Sequence, residues 1–300
     1  MPGIDYIQSV DPLVWEGEVP ELRSPVLVCS FRGWNDAAAA ASTALETVAG
    51  ALESDLLAEL DPEEFFDFQA NRPTITLTEG QTRHIEWPSN QLITSRAPGA
   101  ERDLVLLDGT EPNLRWRAFA DTFADAAERL GVELVVTLGA LIAEVAHTMP
   151  VPITGLASDE DLVERLDLQR SNYEGPTGIV GVLHDACRNR GIASASLWAA
   201  VPHYVAAVPN PKAALALLRR LESLTGVAVD ATELEEESET YEEQVGMAVA
   251  ANPEIEELVG RIEEEQSDED APGADLPSAD TIARDFQRFL RQRGDAPDGG

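Results

Sequence analysis

Four histidines, His84, His147, His184 and His203, are the residues best suited to acid/base or metal chemistry near neutral pH. They are scattered, with no H-E-x-x-H or other ligand pair at helical spacing, so no metal site is expected. Cys29 and Cys187 lie far apart and outside any C-x-x-C spacing. They predict neither a disulfide framework nor a cysteine zinc site, and both are expected to be reduced in a cytoplasmic protein. The chain lacks a G-x-S-x-G elbow, a Walker A loop and a G-x-G-x-x-G after a strand. No nucleophile and no cofactor is therefore identified.

Four turn segments remain, each following an expected strand or opening an expected helix, the edge where α/β sheets place ligand crevices. In Gly33-Trp34-Asn35-Asp36, the glycine relieves a tight strand-to-helix turn and Asp36 can cap the helix. Asn35 and Asp36 are polar groups for a ligand, or this is simply a capped turn with a packed indole. Gly175-Pro176-Thr177-Gly178 places free N–H groups at a helix start, either as an anion site or as a close-packing turn. Gly139-Ala140 is a third such turn, expected just after a strand. His203 and Tyr204, just past another strand, are either an acid/base pair or buried polar groups bonded to backbone. All four are expected to line one cleft.

The elements that would position them alternate between β-branched apolar runs and helical stretches, as in βαβ units. Strands are expected at 25–31, 54–60, 103–107, 133–138, 152–157 and 194–201. Residues 74–78 and 82–87 alternate in period two around Glu79-Gly80, which predicts an antiparallel hairpin, extended by 91–95. Helices are expected from Asp36 to Ala49, and from Leu114 to Leu130 with Leu114, Phe119, Phe123, Ala127 and Leu130 on one side. Others are expected from just after Gly139 to Met149, Asp159 to Leu168, Gly178 to Arg190, and Pro211 to near Gly226.

The 300 residues carry 55 Asp plus Glu against 21 Lys plus Arg, a net of −34. With no run of Lys or Arg, such a surface excludes nucleic acid and anionic membranes as partners. No N-terminal signal and no span of about 18 uncharged apolar residues is present. Residues 230–300 hold 22 acidic and 5 basic side chains, half of the net charge. A boundary is placed near Val229, between a body at 1–229 and an acidic extension at 230–300. In the extension, Leu234, Tyr241, Val245 and Ala248, then Ile255, Leu258, Val259 and Ile262 after an Asn252-Pro253 break, predict a helical hairpin. A linker at 267–277 and a last helix at 279–293, with Phe286, Phe289 and Leu290 on its apolar face, complete it.

The turns Gly33-Trp34-Asn35-Asp36-Ala37, Tyr173 to Gly181 and Val201-Pro202-His203-Tyr204, with Leu276 to Asp280 and Phe286 to Leu290, resemble the proteasome assembly chaperone 2 family, in particular its long actinobacterial members. Each motif alone is weak; their order and spacing over nearly the whole chain carry the resemblance. It implies a three-layer α/β/α fold with a mainly parallel sheet, akin to nucleoside phosphorylases. It also implies self-association, with a trimer favoured, and proteasome subunits as partners. It implies no catalytic residues. Ring-docking members carry a C-terminal hydrophobic-Tyr-any-residue tail, whereas this sequence ends Pro297-Asp298-Gly299-Gly300, so contact is expected through the acidic helices or the body. A non-enzymatic assembly or scaffold protein is the leading expectation. The alternative is an enzyme or binder for a nucleoside-like or phosphorylated ligand at the strand edge.

Overall fold

Alternation along a buried strand decides the layering. In the computed structural model, which describes residues 11–78, 82–157, 159–170 and 174–269, two strands near the N-terminus are β1 (Leu13–Trp15) and β2 (Val26–Arg32). Val26 and Val28 of β2 face one apolar cluster, while Leu27, Cys29 and Phe31 face another. A strand apolar on both faces must be covered on both. The next elements are α1 (Ala40–Ala51), β3 (Glu53–Leu60), β4 (Thr74–Thr78), β5 (Thr82–Glu86), β6 (Gln91–Arg96), β7 (Leu104–Thr110) and α2 (Trp116–Arg129). They are followed by β8 (Leu134–Ala143), β9 (Ile153–Ala157), α3 (Glu160–Arg165), β10 (Gln169–Arg170), α4 (Ile179–Asn189) and β11 (Ala193–Pro202). The chain continues through α5 (Pro211–Thr225), α6 (Thr232–Ala250) and α7 (Pro253–Glu269).

Nine strands form one sheet in the order β1-β3-β6-β7-β2-β8-β11-β9-β10. The central four, β7-β2-β8-β11, are parallel, and antiparallel strands flank them. One face is covered by α1 and α5, the other by α2 and α4. This is the expected α/β/α sandwich. The aromatic centre of the second face is Phe119, stacked edge-on against Phe65 and Phe123 and tilted against Phe31. Helix ends follow local chemistry. Asp159 accepts the Leu162 N–H at the start of α3, Asn210 accepts that of Ala213 at the start of α5, and Gly226 closes α5 at φ +72°.

Several expectations are corrected. Residues 91–95 do not extend the hairpin: β6 joins the main sheet between β3 and β7, and β4–β5 stands apart as a two-stranded sheet. No helix follows Gly139, because β8 runs through it to Ala143, paired with β11 along its whole length. Helix α2 begins two residues after Leu114, whose side chain is exposed. Helix α3 stops at Arg165. In α6 the fourth apolar position is the buried Val249, with Ala248 exposed, and α7 runs into the expected linker. The short edge strands β1 and β10 carry too few residues to show a period. The last helix expected at 279–293 lies outside the described residues.

The hairpin α6–α7 is packed rather than solvated. Ala231 and Leu234 join the cluster beneath α5, while Tyr241, Val245, Val249, Val259 and Ile262 form a third cluster with Ala146. Among the described residues no helix is long and apolar enough to cross a membrane.

Candidate functional site

The turn after β2 is built from an unusual backbone. Gly33 has φ +131°, a conformation that favours glycine, and a Cβ there would sit 3.4 Å from Glu111 Cβ. Trp34 is 40% exposed and Asn35 is buried. The Asn35 carbonyl accepts the Ala140 N–H at 2.8 Å, tying the turn to β8. Asp36 does cap α1, but from further ahead than expected: its Oδ1 accepts the N–H groups of Ala41 and Ser42, and its Oδ2 accepts the Ser42 hydroxyl at 2.7 Å. Between carboxylate and helix, Ala38 and Ala39 are left-handed, with φ 52° and 53°. Each such alanine costs about 1–2 kcal/mol. The Asp36 cap and the Asn210 N–H donated to the Ala38 carbonyl hold them there. Burial pushes the Asp36 carboxyl up, opposed by its hydrogen bonds and by Arg32.

Glu111, just past β7, completes this turn. Its Oε1 accepts the Asn35 amide at 3.2 Å and the Ile179 N–H at the start of α4 at 2.9 Å. At the start of α4, where the sequence allowed either an anion site or a close-packing turn, the N–H of Ile179 is met by a carboxylate of the chain itself, which suits the positive end of a helix. A Cβ on the buried Gly178 would lie 2.9 Å from both Glu111 Oε1 and Asn35 Oδ1, so glycine lets the two elements approach. Gly175, Pro176 and Thr177 are exposed, and the Thr177 side chain occupies the space over Gly181. Sequence reasoning missed Glu111, since nothing in Gly109-Thr110-Glu111-Pro112 announces a partner 68 residues away.

The remaining candidates lie elsewhere. Gly139, inside β8, leaves room for the indole of Trp198, whose ring carbon would be 2.4 Å from a Cβ. That is a packing role. His203 is exposed, with its ring 5.5 Å from that of Tyr204. The Tyr204 hydroxyl accepts the His147 N–H at 2.8 Å and lies 3.0 Å from His147 Nδ1. Lys212 of α5 donates to the His147 carbonyl at 2.6 Å and pairs with Glu242 of α6 at 2.6 Å. Thr148 donates to Glu263 of α7. These bonds join the sheet edge to the acidic helices. His147 Nε2 and the Tyr241 hydroxyl are buried with no hydrogen-bond partner among the described residues. Burial pulls His147 below its ordinary value, assisted by Lys212 and opposed by Glu242 and Glu263. Burial, with Tyr204 adding to it, pushes Tyr241 up to about 12.

The structure therefore brings Gly33–Asp36 and Gly178 together around Glu111, and sets His203 and Tyr204 against His147 instead. The two cysteines are buried, and burial raises Cys187 to about 11 and Cys29 well above the ordinary thiol range. Such thiols are poor nucleophiles. His184 bonds Thr137 at 3.1 Å, and burial lowers it to about 4. Among the described residues no group of three His, Cys, Asp or Glu could hold a metal.

The model of the PAC2 family matches residues 30–249, which contain the turn around Glu111 and the junction around His147 apart from α7. A PAC2 family protein from Streptomyces avermitilis is 49% identical over 78% of this chain and 99% of its own, with a TM-score of 0.73. A proteasome-assembly chaperone homologue from Mycobacterium tuberculosis is 43% identical over 78% of this chain and 99% of its own, with a TM-score of 0.71. A second M. tuberculosis protein, described as of unknown function, is 27% identical, covers 97% of this chain and 98% of its own, and has a TM-score of 0.81. No curated protein matches in sequence. With the model spanning most of the chain and two relatives above 40% identity agreeing on the fold, the chain belongs to the PAC2 family.

Proposed function

We propose that this protein is an assembly-chaperone-like scaffold that works by binding protein rather than by turnover, self-associating through its α/β body and taking proteasome subunits as clients. Family membership and the likeness to a proteasome-assembly chaperone homologue support the class. The observation that carries it is the occupation of the strand edge by the chain's own groups. Glu111 takes the α4 N–H, Asp36 caps α1, and Tyr204 is bonded to His147. A phosphorylated ligand at Gly175–Gly178 would have to displace the half-buried Glu111 carboxylate from its bonds to Asn35 and Ile179, which disfavours the small-ligand alternative.

Affinity capture of the tagged full-length chain from its native cells tests the reading. Proteasome core subunits should be enriched over a control bait, and recovery of none of them refutes it. A melting screen with inorganic phosphate and nucleosides serves the alternative, and no shift is expected.

A further inference from the structure

The hairpin β4–β5 stands apart from the main sheet and leaves apolar side chains exposed. Its register places Ile75 opposite Ile85 and Leu77 opposite Arg83, so the three aliphatic side chains share one face. They are 57%, 47% and 63% exposed for Ile75, Ile85 and Leu77, with Trp87 at the base 48% exposed. An isolated two-stranded hairpin is marginal in water, and three contiguous exposed aliphatics mark an interaction surface. Arg83, opposite Leu77, lies on this same face and pairs with no carboxylate of any other described residue.

Helix α6 carries the complement. Glu236, Glu239, Glu243, Met247, Ala250 and Ala251, at its C-terminal boundary, follow helical spacing along an exposed face, acidic over its first turns and apolar at its end. Met247 is 66% exposed, the most exposed large apolar side chain among the described residues. Methionine suits an adaptable contact. Since Ile75, Leu77 and Met247 are all exposed, the two surfaces do not cover one another within one chain. An apolar face carrying the cation Arg83 and an apolar face flanked by Glu239 and Glu243, both on the same molecule, are self-complementary only between copies.

We infer that the β4–β5 hairpin of one copy docks on the exposed Glu243–Met247–Ala251 face of α6 in a second copy. The contact is heterologous, so it propagates and closes into a ring where the rotation allows. In a chain of net charge −34, the contact sets the cation Arg83 where the acidic helix of the second copy meets it. The inference rests on the self-association in the proposed function and extends its surface from the body to α6 of the acidic extension.

The test measures the mass of the full chain in solution by sedimentation velocity at low salt. Wild type is expected to associate. I75E/L77E and Met247→Glu, both at exposed positions, are each expected to give the monomer mass with an unchanged far-ultraviolet spectrum. Arg83→Glu should weaken association about tenfold. Mixing the first two variants should restore a two-chain species, because one supplies an intact hairpin and the other an intact helix face. A monomeric wild type, retained mass in either variant, or a mixture that stays monomeric overturns the inference. So does crosslinking of the hairpin to another protein while the chain stays monomeric. Capture of proteasome subunits by a chain that assembles through another face would leave the proposed function standing and remove only this surface, whereas a monomeric chain that captures them would also remove self-association from that function.

Discussion

The strand-edge turn around Glu111 and the junction around His147 both gather buried polar groups, yet they are finished differently. At the first, one carboxylate oxygen serves a side-chain amide and a helix N–H, and Asp36 serves three donors. At the second, Tyr204 and Lys212 are bonded, but His147 Nε2 and the Tyr241 hydroxyl are buried without a partner. A buried unpaired polar group costs about 1–3 kcal/mol, so the first constellation locks its elements and the second holds them loosely. The acidic helices are therefore the part of the structure expected to open first.

The sharpest way to break this contrast is Glu111→Ala. It leaves the Asn35 amide and the Ile179 N–H buried and unpaired, at a cost of about 2–4 kcal/mol, read as a lower midpoint in urea. Glu111→Gln keeps an acceptor and should lose about 1 kcal/mol, the helix-end charge alone. Equal losses in the two variants would show that hydrogen bonding is not what closes this turn. At the junction, Tyr204→Phe removes the acceptor of the His147 N–H and should cost about 1–2 kcal/mol. That loss should raise hydrogen exchange in α6 and α7 before it affects β2.

Backbone strain gives an opposite sign. Ala39→Gly relieves a left-handed alanine, and should stabilise by up to about 1 kcal/mol after the glycine's extra unfolded-chain entropy is subtracted. A lower melting temperature would mean that the Ala39 methyl packs usefully enough to outweigh the strain.

The central strands were legible because a chain buried on both faces reads as a continuous apolar run, as in Val26 to Cys29. Helix α2 was legible from Phe119, Phe123 and Ala127, and α5 from Pro211 and Gly226. What was illegible depends on distant partners. The period of residues 91–96 is the same whether they pair with β5 or with β3 and β7, and the choice is made by the sheet. Gly139 looked like a turn because its reason, the indole of Trp198, arrives from a neighbouring strand. Glu111 was invisible for the same cause, whereas Asp36 was visible because its donors lie five and six residues away.

Acid should act on the junction through His147. Its value in the fold lies below the 6.5 of the free side chain, chiefly because it is buried, with Lys212 adding to the effect and Glu242 and Glu263 opposing it. Between those two values the unfolded chain binds the more protons, so stability rises with pH there. The contribution of neutral His147 is complete above 6.5, falls as pH drops through 6.5, and is spent once the folded value is passed. Exchange in α6 and α7 should accelerate over that window in wild type and less steeply in His147→Gln. Identical slopes would assign the acid response to the carboxylates.

The smallest expected effect is the most discriminating. Tyr241 is buried in the cluster with Val245 and Ile262, and its hydroxyl has no partner there. Tyr241→Phe keeps the ring and removes the unpaired group, so it should be neutral or stabilise by up to about 1 kcal/mol. The same chemical change at Tyr204 destabilises, because there the oxygen accepts a main-chain N–H. A pair of Tyr→Phe variants with opposite signs, within one cluster, would establish that the junction is under-satisfied. If Tyr241→Phe instead costs about 1 kcal/mol or more, its hydroxyl is bonded in solution. An ordered water shared with His147 Nε2 would be the simplest such partner, and the junction would then be as complete as the turn around Glu111.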